Sequence, residues 1–158
     1  MSKRLFNFLL GAVILINIAI WSVYLNSQSF TAHAQAETLV KAEQESGVMW
    51  VDHFYILNKK STSYTIVGPD KNKEEVFFSY DPETKKTKTT KAKGMVTEKN
   101  ALSITQHDLP KAKVGEARLG VDNDQFVWEV SFTDEKGHLG YHYLKATNGE
   151  WYETINNL

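Results

Sequence analysis

The chain has 158 residues, no cysteine and a formal net charge of −1. Its 23% charged and 12% aromatic content belongs to a folded globular protein rather than a disordered one. The near-neutral balance gives no reason to expect nucleic acid as a partner, and the lack of cysteine excludes disulfides, thiolate chemistry and every cysteine-based metal site.

After the basic residues Lys3 and Arg4 comes an uncharged stretch, Leu5–Leu25, LFNFLLGAVILINIAIWSVYL. As a helix it is roughly 32 Å long, close to the hydrocarbon thickness of a bilayer. A cleavable leader has a shorter apolar region, roughly 7–15 residues, with a small-x-small site soon after it. Ala32-His33-Ala34, overlapping Ala34-Gln35-Ala36, is such a site, but it lies beyond the polar run Asn26–Ser29, at the start of a predicted helix over Thr31–Ser46. Retention as an uncleaved anchor is favoured over cleavage there. No basic residue follows the span until Lys41, so the positive-inside rule makes residues 1–4 a cytoplasmic tail and places the remainder outside. Trp21 and Tyr24 suit the outer interface. Asn17 is the strong polar group of mid-span, either a contact for a partner helix or a tolerated lone amide.

Beyond the span the chain repeats itself. Thr62–Lys86 aligns without a gap on Phe126–Glu150, at an offset of 64 residues. Tyr64 meets Trp128, Ile66 meets Val130, Asp70 meets Asp134 and Phe77 meets Tyr141. Upstream of each copy lies a short predicted helix, ETLVKAEQESG and NALSITQHDLP, ended by Gly47 and by Pro110. Each helix is followed by a predicted strand, Val48–Leu57 and Lys113–Val121. A tight Asp122-Asn123-Asp124 turn then leads into QFVWEVSF, whose alternation reads as a half-buried strand. The fold class is therefore α+β: two units, 26–93 and 94–158, each one helix on a meander of three or four antiparallel strands. A unit of about 60 residues buries little alone, so a joined pair is expected.

The C-terminal YHYLKATNGEWYETI, with its aromatic strand, Thr147-Asn148-Gly149-Glu150 turn and closing strand, resembles the last hairpin of the PepSY domain. The whole layout, with a short basic N-terminus, one span and then GVMWVDHFYILNKKSTSYTIVG, resembles the YpmB/TseB family of Gram-positive bacteria, described as regulators of cell wall elongation. The resemblance implies a tandem pair of cystatin-like/PepSY units held outside the membrane. It also implies a non-catalytic role: binding and regulating a membrane-bound penicillin-binding protein that cross-links peptidoglycan. PepSY domains elsewhere occur in propeptides of secreted metalloproteases, which keeps a protease-inhibitory or chaperone-like module open as an alternative.

The residues themselves offer little chemistry. Gly-x-Ser-x-Gly, Ser-x-x-Lys and His-Glu-x-x-His are all missing. His138 and His142, four apart in a predicted strand, would stand about 13 Å from one another, too far to share a metal. Asp122-Asn123-Asp124 lacks the following glycine and distant glutamate of a calcium loop and reads as a hairpin turn. No metal, no cofactor and no catalytic residue is expected.

Two stretches could make contacts. Lys85, Lys86, Lys88, Lys91 and Lys93 crowd one segment. They either touch anionic wall polymer or lipid headgroups, making the chain a wall-polymer sensor, or they guard an edge strand against pairing, the reading favoured here. In Val48–Leu57 both faces are apolar. Met49, Val51, Tyr55 and Leu57 lie opposite Val48, Trp50, Phe54 and Ile56, so either the second unit or a partner protein must cover that face.

Overall fold

The computed structural model describes residues 3–156, with the side chains of all but 3–9, 11 and 25–28. Met1 and Ser2, and the side chains of Lys3 and Arg4 on which the expected orientation rests, lie outside the described residues. The fold is α+β. In chain order the elements are α1 (Lys3–Ser46), β1 (His53–Asn58), β2 (Thr62–Pro69), β3 (Glu75–Tyr80), β4 (Thr87–Lys91), α2 (Glu98–Asp108), β5 (Lys113–Asp122), β6 (Gln125–Thr133), β7 (Leu139–Lys145) and β8 (Trp151–Ile155). They make two compact units, 1–36 and 37–158.

The first unit belongs to α1. The expected break between the apolar span and a helix from Thr31 is not seen; both run in one helix. No Gly or Pro falls between Asn26 and Ala36, and the Ala, Glu and Gln residues there favour helix. The apolar side chains Leu10, Val13–Ile16, Ile18, Ile20, Trp21, Val23 and Tyr24 are each at least half exposed. This helix is long and apolar enough to cross a membrane. Trp21 and Tyr24 stack with their ring centroids 5.8 Å apart.

The second unit holds two four-stranded antiparallel sheets, ordered β1-β2-β3-β4 and β5-β6-β7-β8. In the first sheet, register sets Ile66 opposite Phe78 and Tyr64 opposite Tyr80. This face takes the last turns of α1: the Tyr80 hydroxyl donates to Glu37 Oε1 at 3.1 Å, and Lys41 Nζ lies 4.6 Å from the Tyr80 ring centroid. The other face carries Val67 and Phe77 into a core shared with Leu119, Phe126, Trp128 and Leu144 of the second sheet. α2 covers that core with Ala101. Thr97 caps α2, its hydroxyl accepting from the Asn100 amide, with Glu98 in the first turn.

The hairpins repeat at the 64-residue spacing. Asp70 Oδ1 accepts from the amides of Asn72 and Glu74 at 2.8 and 3.0 Å. Asp134 Oδ1 accepts from Lys136 and His138 at 2.8 and 2.9 Å. Left-handed backbone falls at Lys73 and Gly137, and again at Lys85 and Gly149. The β5–β6 turn has both Asn123 and Asp124 left-handed, as a two-residue hairpin requires.

The strand expected from Val48 begins only at His53. The Met49 amide donates to Pro69 O and the Asp52 amide to Val67 O, so three steps on one side span two on the other. The extra residue makes a bulge. Gly68 accommodates it: a Cβ there would lie 2.1 Å from the Trp50 carbonyl oxygen. Met49 and Val51 therefore do not continue the Tyr55–Leu57 face.

Candidate interaction site

Tyr55 and Leu57 point from β1 toward the second sheet. Leu57 is 1% exposed and packs with Val127 and Tyr143. It gets there over Gly120, where an added Cβ would sit 2.5 Å from Leu57 Cβ. Tyr55 meets Trp128 edge-on, centroids 5.6 Å apart, and its hydroxyl donates to Glu98 Oε2 at 2.8 Å. Burial and then that carboxylate push the Tyr55 pKa up. Trp128 donates its indole N–H to Val96 O at 2.8 Å.

The same joint holds an ion-pair network. Lys59, in the β1–β2 turn, places Nζ 2.7 Å from Asp122 Oδ2 and 2.5 Å from Glu153 Oε2. The ammonium also lies over the Tyr143 and Tyr152 rings, at 4.3 and 4.9 Å. Tyr152 donates to Asp122 Oδ2 at 3.0 Å. Burial opposes both charges. The bonds from Lys59 and Tyr152 nevertheless hold Asp122 below the ordinary 3.8, and those to Asp122 and Glu153 hold Lys59 above 10.5. Next to it the Tyr143 hydroxyl donates to buried Glu129 at 2.6 Å, and burial followed by that bond raises the Tyr143 pKa.

The bulge turns apolar side chains outward. Met49 is 51% and Trp50 53% exposed, while Val51 is half-buried. The Trp50 indole N–H donates to Asp52 Oδ1 at 3.0 Å. A large amphipathic ring with few torsions loses little entropy on binding, and Trp is common among residues dominating interfaces. Trp50 was not among the residues singled out from sequence, because the unbroken alternation assumed there assigned it to the opposite face.

The lysine run lies on and around β4, the edge strand of the first sheet. Lys91 pairs with Glu74, and Lys88 Nζ sits 2.9 Å from Asp124 Oδ1. Lys85 and Lys86, in the turn before β4, form no ion pair among the described residues, and Lys93 lies just past the strand, exposed. Asn17 donates to the Val13 carbonyl at 2.8 Å, one turn back. His138 bonds Asp134 at 3.1 Å, whereas buried His142 lies between Thr154 and Asp108 at 2.9 and 3.3 Å, so the two rings serve separate contacts. Among the described residues no group of three or more His, Asp or Glu is arranged to hold a metal.

The chain is similar to the "Probable cell wall elongation regulator TseB" of Bacillus subtilis (strain 168): 24% identical over 153 residues, spanning 96% of this chain and 92% of the relative. Its fold is similar to that of the solved YpmB protein from Bacillus subtilis, with a TM-score of 0.70 and 23% identity over 77% of this chain and 95% of that one. No protein-family model matches.

Proposed function

We propose, from the premise that this chain belongs to the TseB/YpmB family, that it is a non-catalytic, membrane-anchored module that regulates a penicillin-binding protein during wall elongation. The observation that carries this reading is the match along nearly the whole length to a relative named as an elongation regulator. In this reading the apolar part of α1 spans the membrane with its N-terminus in the cytoplasm, and the two sheets are tandem PepSY-like, cystatin-like units outside. Anchoring confines the module to a layer beside the membrane. It thereby raises the effective concentration for a partner that is anchored too. The surface offered is Met49 and Trp50, turned outward at the bulge.

The test is in-cell cross-linking of the tagged full chain, with mass spectrometry, beside Trp50→Ala and a form secreted without the span. A membrane-bound penicillin-binding protein is expected to be enriched with the full chain and reduced several-fold by either change. Trp50→Ala should leave stability nearly unchanged, since the ring is exposed. Equal recovery of a soluble protease by the anchored and free forms would sink this reading in favour of a protease-inhibitory or chaperone-like module.

A further inference from the structure

A polar cleft of about 470 Å³ opens where the β3–β4 turn approaches the β5–β6 turn. That is the size of a small-ligand site. Ser63 and Ser79 line it and are 2% and 3% exposed. Ser79 Oγ accepts from Thr65 Oγ1 at 3.1 Å and Ser63 Oγ accepts from the Val121 amide at 3.1 Å. Ser63, accepting from an amide, keeps its own proton to donate, while either hydroxyl of the Thr65–Ser79 pair can donate to the other. At the rim stand Thr84, Thr87, Lys85, Lys86 and Lys88.

The two carboxylates of the cleft are already engaged. Asp81 Oδ1 accepts from the Glu83 and Thr84 amides at 2.8 and 3.0 Å. Asp124 holds Lys88, but its side chain is 91% exposed, so that pair is weak and open to exchange. Lys85 occupies a left-handed position, φ 61°, whose counterpart 64 residues on is Gly149. Its ammonium lies 5.7 Å from the Tyr80 ring centroid, so this side chain is already used on the α1 face of the sheet.

We infer that this cleft binds the phosphate group of a phosphomonoester or phosphodiester. Two buried serine hydroxyls line the cleft, Lys88 stands opposite Ser79 in the register, and Lys86 lies beside it at the rim, so hydroxyls and positive charge meet at one place. Lysine serves phosphate as a point charge. The site goes beyond the regulatory reading and does not rest on it.

The test uses the full chain in neutral maltoside micelles, followed by amide NMR. Glycerol phosphate is titrated in solution, phosphatidylglycerol is doped into the micelle, and acetate at equal ionic strength is the control. Saturable shifts confined to Ser63, Ser79, Thr84–Lys88 and Asn123 are expected. The double change Lys86→Glu, Lys88→Glu should weaken binding about ten-fold or more. Asp124→Asn, which frees Lys88 and keeps a side chain that tolerates left-handed backbone, should strengthen it several-fold. A response to glycerol phosphate identifies a soluble or polymeric phosphodiester as sufficient. A response only to phosphatidylglycerol identifies a lipid headgroup. Shifts equal to those with acetate, or binding indifferent to both variants, overturn the site.

Discussion

At the scale of single residues, two groups hold positions that cost stability in themselves. Lys73 and Lys85 both adopt left-handed backbone, where the matching positions in the second half are Gly137 and Gly149. Glycine relieves that strain but loses more chain entropy on folding, so Lys85→Gly and Lys73→Gly should each stabilise by about 0.5–1 kcal/mol in denaturant unfolding. Neither change should alter phosphate binding, because Lys73 lies outside the cleft and the Lys85 ammonium lies against Tyr80. Weaker binding by Lys85→Gly alone would show that its ammonium leaves the Tyr80 ring for the cleft. The second case is Asp122, 6% exposed and paired with Lys59. Its folded pKa lies below 3.8, so its contribution is complete above the unfolded value and is lost as pH falls through the folded one. Asp122→Asn leaves a buried ammonium short of a partner and should cost about 3 kcal/mol at neutral pH. The gap between variant and parent should narrow toward acid in guanidinium unfolding at several pH values; a gap constant with pH would show that the pair does not stabilise the joint.

At the scale of elements, much was legible. The 64-residue offset matched β6 with β2 and β7 with β3, because hairpin turns impose their own residue types: the aspartates of Asp70 and Asp134 fold the same turn in both halves. Strand alternation also turned Tyr55 and Leu57 to one face. What could not be read was whatever depends on a neighbour distant in sequence. The bulge at residues 48–52 arises because Gly68 lets the Trp50 carbonyl approach, and no local pattern announces it. QFVWEVSF looked half-buried, with Val127 and Glu129 on a wetter face. Both are buried, Val127 beneath Leu57 and Glu129 under the Tyr143 hydroxyl. Lys59 gave no signal, since a lysine in a turn normally faces water and its partners lie in the other sheet.

At the scale of the whole molecule, the joint decides how residues 37–158 unfold. Val67 and Phe77 of one sheet share a core with Phe126 and Trp128 of the other, Leu57 crosses Gly120 to reach Val127, and Lys59 completes the acidic and aromatic cluster beyond. Neither sheet keeps a complete core without its neighbour, so the two should open in a single cooperative step. Gly120→Ala tests this without removing any contact group. The new methyl would press on Leu57 and on Ser63 Oγ at 2.4–2.6 Å, and overpacking of this kind costs about 1–3 kcal/mol. Hydrogen exchange should then show equal loss of protection for amides of β2 and β3 and for those of β6 and β7, although the substitution lies in β5. Retained protection in the first sheet alone would mean that the sheets are separate folding units in contact, with the joint a hinge rather than a shared core.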